Sequence, residues 1–171
     1  MPGSRRNINL YDALQDMLDH WKPDCAFSGV SRADFERWQR VFRRHYRRCI
    51  GAMPERVPLR LEALETKDCG DHVRRKVVFD SSPWVSVPAY LLEPKGLKKG
   101  EKRPGILASH GHGRGKVDIV GVTREEGDKD RIATVDRLNY EYGLEAVRRG
   151  YVVIAPDWCP FGERRPPDAF I

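Results

Sequence analysis

The chain has 171 residues, 40% of them hydrophobic and 33% charged, which fits a folded globular domain and excludes a disordered or low-complexity protein. No apolar run approaches the roughly 18 residues that a membrane-spanning helix needs. The net charge of +6 is uneven: residues 1–60 hold 12 Lys/Arg against 7 Asp/Glu, and residues 61–171 hold 19 against 18, so the basic excess is N-terminal and does not mark a general nucleic-acid binder.

The first residues, Met1 to Arg6, are basic, but no apolar stretch follows them, so no secretory signal is expected. Leu10, Leu14, Met17, Leu18 and Trp21 then recur at helical spacing until Pro23 ends the pattern. Ser31 is placed to cap a second helix, with Asp34 and Glu36 in the first turn, where the helix dipole favours acids. Phe35, Trp38, Phe42, Cys49 and Met53 fall on one face of it. Arg37, Arg40, Arg43, Arg44, Arg47 and Arg48 occupy the rest, and Gly51 and Pro54 close it. Residues 1–60 are therefore read as a helical extension, and residues 61–171 as a separate α/β part.

From about residue 72 the period becomes strand-like. Val73, Val77 and Phe79 form one strand, Ser81-Ser82-Pro83 a turn, and Val85, Val87, Ala89 and Leu91 then alternate with Ser86, Pro88, Tyr90 and Leu92. This predicts an antiparallel hairpin. A polar connection from Lys95 to Arg103 leads to a short buried strand, Gly105 to Ser109, which runs into the Gly-rich turn His110-Gly111-His112-Gly113-Arg114-Gly115. The charged segment from Lys116 to Arg137 lacks periodicity and is read as a loop over the site. Leu138, Tyr142, Leu144 and Val147 predict a helix closed by Gly150, and Tyr151 to Ala155 is the strongest buried strand, ended by Pro156-Asp157. Hairpin, strand, helix, strand is the opening of an α/β sheet.

These motifs, in this order, resemble the α/β-hydrolase superfamily over about residues 72–165, most closely its dienelactone-hydrolase and acetyl-xylan-esterase-like branch. Pro104 to Gly113 is similar to the family's third strand and oxyanion turn. Asn139 to Asp157 is similar to its first helix and fourth strand, and Phe161-Gly162-Glu163-Arg164 to the turn after that strand. The resemblance implies the N-terminal portion of an α/β-hydrolase fold: a partial, mostly parallel sheet opening with a hairpin and preceded by the helical extension. It also implies a carboxylic ester substrate, with a peptide or acetylated sugar left open, and no cofactor. The His112 backbone N–H becomes the candidate oxyanion donor, with Gly111 and Gly113 shaping the turn and His110 holding it by a structural hydrogen bond. Donors pre-aimed at the carbonyl oxygen stabilise the charge that develops there during acyl transfer. Asp157, Glu163 and Arg164 lie just beyond the fourth strand, at the strand ends where α/β sites form, and are candidates for the substrate-site edge, where they would contact substrate or brace the site loops, against a plain Glu–Arg surface pair.

The nucleophile elbow G-x-S-x-G occurs nowhere. The serines are 4, 28, 31, 81, 82, 86 and 109, and Ser109 ends the oxyanion-turn strand rather than the elbow strand. Cys159, in Asp157-Trp158-Cys159-Pro160-Phe161, lacks the glycine framing of a nucleophile and is read as an incidental thiol. The expectation is thus a hydrolase portion cut before its nucleophile, acid and catalytic histidine, and inactive alone. The family's strand order would leave the third strand with a bare edge, favouring self-association or a partner that covers it.

Two rival readings were weighed. The arginine helix offers a non-catalytic interaction or anion-binding module, although no base-reading motif accompanies it and nucleic acid is disfavoured. His45 and Cys49, with Cys69 and His72, offer zinc-type ligands, but scattered residues of a reduced protein explain them better and no metal is expected. Cysteines 25, 49, 69 and 159 form no C-x-x-C pair, which suits a cytoplasmic protein with reduced thiols.

Overall fold

The computed structural model describes residues 8–98 and 100–167. The chain divides into two compact units, Met1–Met53 and Pro54–Ile171. The first is helical. Helix α1 (Leu10–His20) is capped by Asn9, whose side chain accepts the Asp12 N–H at 2.8 Å. Helix α2 (Arg32–Ile50) begins at Ser31 in a reciprocal capping box with Asp34 and ends at Gly51, as its sequence predicts. The apolar side of α2 is aromatic: Phe27, Phe35, Trp38, Phe42 and Tyr46 form a run of ring contacts with centroids 5.1–6.1 Å apart. Trp38 Nε1–H donates to the Cys25 carbonyl at 2.8 Å. Neither helix contains a fully buried residue.

The second unit is built on a five-stranded sheet with strands β1 (Glu62–Asp68), β2 (His72–Ser82), β3 (Val85–Pro94), β4 (Gly105–Leu107) and β5 (Val152–Pro156), in the order β1-β2-β3-β5-β4. The β2–β3 hairpin is the one expected. Strand β1 was not anticipated: its residues are exposed along its whole length, so it carries no inward-facing alternation for a sequence pattern to detect. Parallel pairing is confined to β4 and β5, while the three other pairings are antiparallel. The reason is local: β1, β2 and β3 are joined by tight turns, whereas β4 reaches β5 through a helical crossover.

That crossover corrects the reading of Lys116–Arg137 as a loop. It holds a 3₁₀ turn at Gly115–Asp118, helix α3 (Val122–Glu126) and helix α4 (Lys129–Arg137), followed by the expected helix α5 (Tyr142–Arg148). Ile119 and Val120 are fully buried, and with Val122, Leu144 and Val147 they pack on Leu92, Ala108, Val153 and Ala155 of the sheet. The Ile119 carbonyl also accepts the Leu144 N–H at 3.0 Å, which ties the crossover to the start of α5. The apolar residues here are too few and too irregularly spaced to betray a core, because the charged residues between them pair with one another. In the hairpin Leu92 is fully buried and Leu91 half-buried, since Leu92 and Tyr90 share the helix-covered face with Val153 and Ala155.

Candidate active site

The two segments that resemble the oxyanion turn and the turn after the fourth strand lie side by side, beyond the C-terminal ends of β4 and β5. Asp157 is their junction. Its side chain is wholly buried. Oδ1 accepts the Lys116 backbone N–H at 2.8 Å, and Oδ2 accepts the Glu163 N–H at 3.0 Å and the Lys116 ammonium. The Lys116 side chain is 1% exposed and its Nζ also donates to Glu163 Oε1 at 2.6 Å, while Glu163 Oε2 meets Lys76 Nζ at 2.8 Å. Burial pushes the Glu163 carboxyl up, but hydrogen bonds from Lys116 and Lys76 outweigh it and hold the group below its usual range. The alternative Glu–Arg surface pair does not form: Glu163 binds lysines, and Arg164 Nη1 donates to the Asp157 carbonyl at 3.3 Å.

Two glycines make room for this carboxylate. A Cβ on Gly115 would sit 2.4 Å from Asp157 Oδ1, and one on Gly162 would sit 2.3 Å from it, both at positive φ (+84° and +56°). Only glycine combines that backbone with so close an approach.

His110 is a second tie between the turns. Its Nε2 accepts the Trp158 N–H at 3.0 Å while Nδ1 lies 2.9 Å from the Gly111 carbonyl, so the pair of bonds requires the proton on Nδ1. The Phe161 ring stands edge-on to both His110 and His112, at 5.5 and 5.4 Å. Two tyrosines brace the turn from the other side: the Gly111 N–H donates to the Tyr140 hydroxyl at 2.5 Å, and the Tyr142 hydroxyl donates to the Ser109 carbonyl. A further buried carboxylate, Asp118, accepts the Arg114 N–H and the Thr123 hydroxyl, both at 2.8 Å, and pairs with Arg131. Burial raises Asp118, but the bonds from Arg131, the Arg114 N–H and Thr123 prevail and keep its carboxyl below the usual range.

In the turn, the N–H groups of Gly111 and Arg114 are committed to Tyr140 and Asp118, whereas those of His110, His112 and Gly113 have no acceptor among the described residues. Beside them is a depression of about 440 Å³ lined by Gly113, Arg114, Phe161 and Glu163 among others. Cys159 is exposed next to it, in a cis Cys159–Pro160 peptide. Among the described residues, no group of three or more His, Cys, Asp or Glu is placed to hold a metal ion.

The sequence reading named His110, Gly111, His112, Gly113, Asp157, Glu163 and Arg164, and the fold brings all of them together. It missed Lys116, Asp118, Arg131, Tyr140 and Tyr142. Lys116 lies 41 positions from its carboxylate partner, and nothing local marks such a pair. The Asp128 cap of α4 was the one available signal that Arg131 belongs to a helix rather than a loop.

A sheet of this order, with a helical crossover between two parallel strands and a glycine turn at their C-terminal ends, defines an α/β hydrolase. The chain belongs to the Abhydrolase family, whose model matches residues 3–168. It is 29% identical over 119 residues to a Bacillus subtilis (strain 168) protein named "Putative hydrolase YtaP", a match covering 69% of this chain and 36% of that one. The crystal structure of "a putative acetyl xylan esterase" from Bacteroides fragilis NCTC 9343 superposes with a TM-score of 0.72 at 21% identity, over 96% of this chain and 41% of that one. At that identity the likeness speaks to the fold alone. The chain thus spans well under half the length of the relatives it matches. Among the described residues, no helix is long and apolar enough to cross a membrane.

Proposed function

We propose that the chain is the N-terminal portion of a serine hydrolase that transfers the acyl group of a carboxylic ester to water, and that it supplies one half of the oxyanion hole. The observation that carries this reading is the selective commitment of the turn: the His112 N–H is uncommitted while its neighbour Gly111 is tied to Tyr140. As the serine oxygen attacks, the ester carbonyl becomes an oxyanion, and a fixed donor stabilises it without reorganising. His110, held in one tautomer, fixes the turn and takes no part in proton transfer. The nucleophile, acid and catalytic histidine come from sequence outside these 171 residues, a reading supported by the lack of any G-x-S-x-G. The hydrolase part is then preceded by a helical extension, the substrate is a small ester, and the depression lined by Asp157 and Glu163 borders its site. A cytoplasmic location suits the unpaired thiols.

A fluorophosphonate probe, which labels activated serines, tests this. The purified 1–171 chain is expected to remain unlabelled. Covalent label on Ser109 would overturn the assignment of the nucleophile to other sequence.

One observation favours a second reading, the interaction module. Arg40, Arg43, Arg44, Arg47 and Arg48 line a groove of about 580 Å³ and have no acidic partner among the described residues. Salt-sensitive binding of a generic polyanion that is lost on Arg43→Glu/Arg47→Glu would support it. Strand β4 lies at the end of the sheet, paired with β5 alone among the described residues: self-association of 1–171 that rises with concentration would support a role for that edge in pairing.

A further inference from the structure

The buried lysine has a task that ordinary stabilisation does not explain. A lysine 1% exposed against a carboxylate 0% exposed is costly to desolvate, and a well-packed apolar pair in its place is often as stable or more so. What an apolar pair could not reproduce is the bond pattern. Lys116 contacts Asp157 twice, through its backbone N–H and its ammonium, so the residue that closes the glycine turn is fixed in position and direction relative to the end of β5. The ammonium also holds Glu163, and Glu163 gives its own N–H to Asp157, which closes a ring of contacts across the second turn. The Tyr90 ring lies 5.4 Å from the ammonium and shields it on the sheet side. Between this anchor and the one at His110 and Trp158 stand only Gly111, His112, Gly113, Arg114 and Gly115, the segment with the uncommitted N–H groups.

We infer that Lys116 is a positioning residue: its double hold on Asp157 orients the His112 and Gly113 N–H groups toward the depression. This rests on the reading of His112 as an oxyanion donor, but it can fail independently of that reading. Of the two roles the sequence left open for Asp157 and Glu163, substrate contact or bracing of the site loops, their bonds to Lys116 favour the second.

The experiment is a ¹⁵N–¹H spectrum of the 1–171 chain with Lys116→Met, Lys116→Arg and Glu163→Gln, read with thermal unfolding of each. The Lys116→Met variant is expected to displace or broaden the His112, Gly113 and Arg114 signals while core signals such as Leu92 and Val153 stay in place. Lys116→Arg, which keeps the charge, should restore part of the pattern. Glu163→Gln removes one of the two carboxylate partners from a half-exposed position, so it is expected to fold, and it should shift the same turn signals by less. A lysine that only stabilised the fold would lower the melting temperature and leave the turn signals where they were. That result in a folded Lys116→Met overturns the proposal. If Lys116→Met does not fold, unmoved turn signals in Glu163→Gln overturn it instead. Ester turnover plays no part in these readouts, so a failure of the hydrolase reading would appear as an absence of ester turnover in an extended protein and not here.

Discussion

The two units of the chain handle charge and apolar surface in opposite ways. In the helical unit the helices bury no residue completely, and Arg40, Arg43, Arg44, Arg47 and Arg48 of α2 stand along one side without acidic partners among the described residues, whereas Arg32 and Arg37 pair with Glu36 and Asp34. In the sheet unit, Lys116, Asp118 and Asp157 are almost wholly enclosed, and every one of them is saturated with partners. Periodicity and capping suffice to form the first. The second depends on contacts between residues far apart in sequence, and those contacts converge on the two turns of the candidate site.

The largest expected effect comes from breaking the Asp157 junction. Asp157→Ala leaves the Lys116 ammonium buried with one remaining carboxylate, and we expect a loss of about 3–5 kcal/mol in denaturant unfolding of the sheet unit. A loss under about 1 kcal/mol would mean that the enclosed pair contributes little. Next is Gly162→Ala, which forces a Cβ against Asp157 at positive φ. It is expected to cost about 2 kcal/mol, by the same assay.

The pH response follows from Asp118. Its carboxyl is held below the ordinary value of 3.8. A group depressed in the fold contributes stability that is fully present above the unfolded value and is lost as pH falls through the folded one. Acid unfolding below about pH 4 should therefore be shallower in Asp118→Asn than in the parent, and an unchanged slope there would remove Asp118 from the account of acid stability. The smallest effect belongs to the helical unit. Ser31→Ala deletes the cap of α2 and should cost about 1 kcal/mol, seen as faster amide exchange in the first turn of that helix alone. A change at Lys116 or Asp157 that disturbed α2 equally would erase the contrast between the units.

What could be read in the sequence follows the range of the interactions. Ser31 and Gly51 lie within a few residues of the groups they satisfy, so both ends of α2 were legible. The hairpin and β5 were legible from apolar runs. The glycine turn was legible by resemblance, and its residues meet as expected. Strand β1 and the crossover core were not, for opposite reasons: β1 buries nothing, and the crossover hides Ile119 and Val120 among charges that neutralise one another. Lys116 could not be assigned from the chain alone, because in sequence a lysine bonded to a carboxylate 41 residues away is indistinguishable from one in water.

The most direct measurement places the oxyanion donor in a reaction. The 1–171 chain and a version extended by the residues encoded downstream should be assayed on p-nitrophenyl acetate, with His112→Pro, which deletes the backbone N–H, in the active form. The expected result is no turnover above a matched control for 1–171, turnover for the extended protein, and about a 10²–10³-fold lower kcat for its His112→Pro variant with the fold retained. Turnover by 1–171 itself that depends on the His110–Gly113 turn, or an extended enzyme indifferent to His112→Pro, would contradict the assignment.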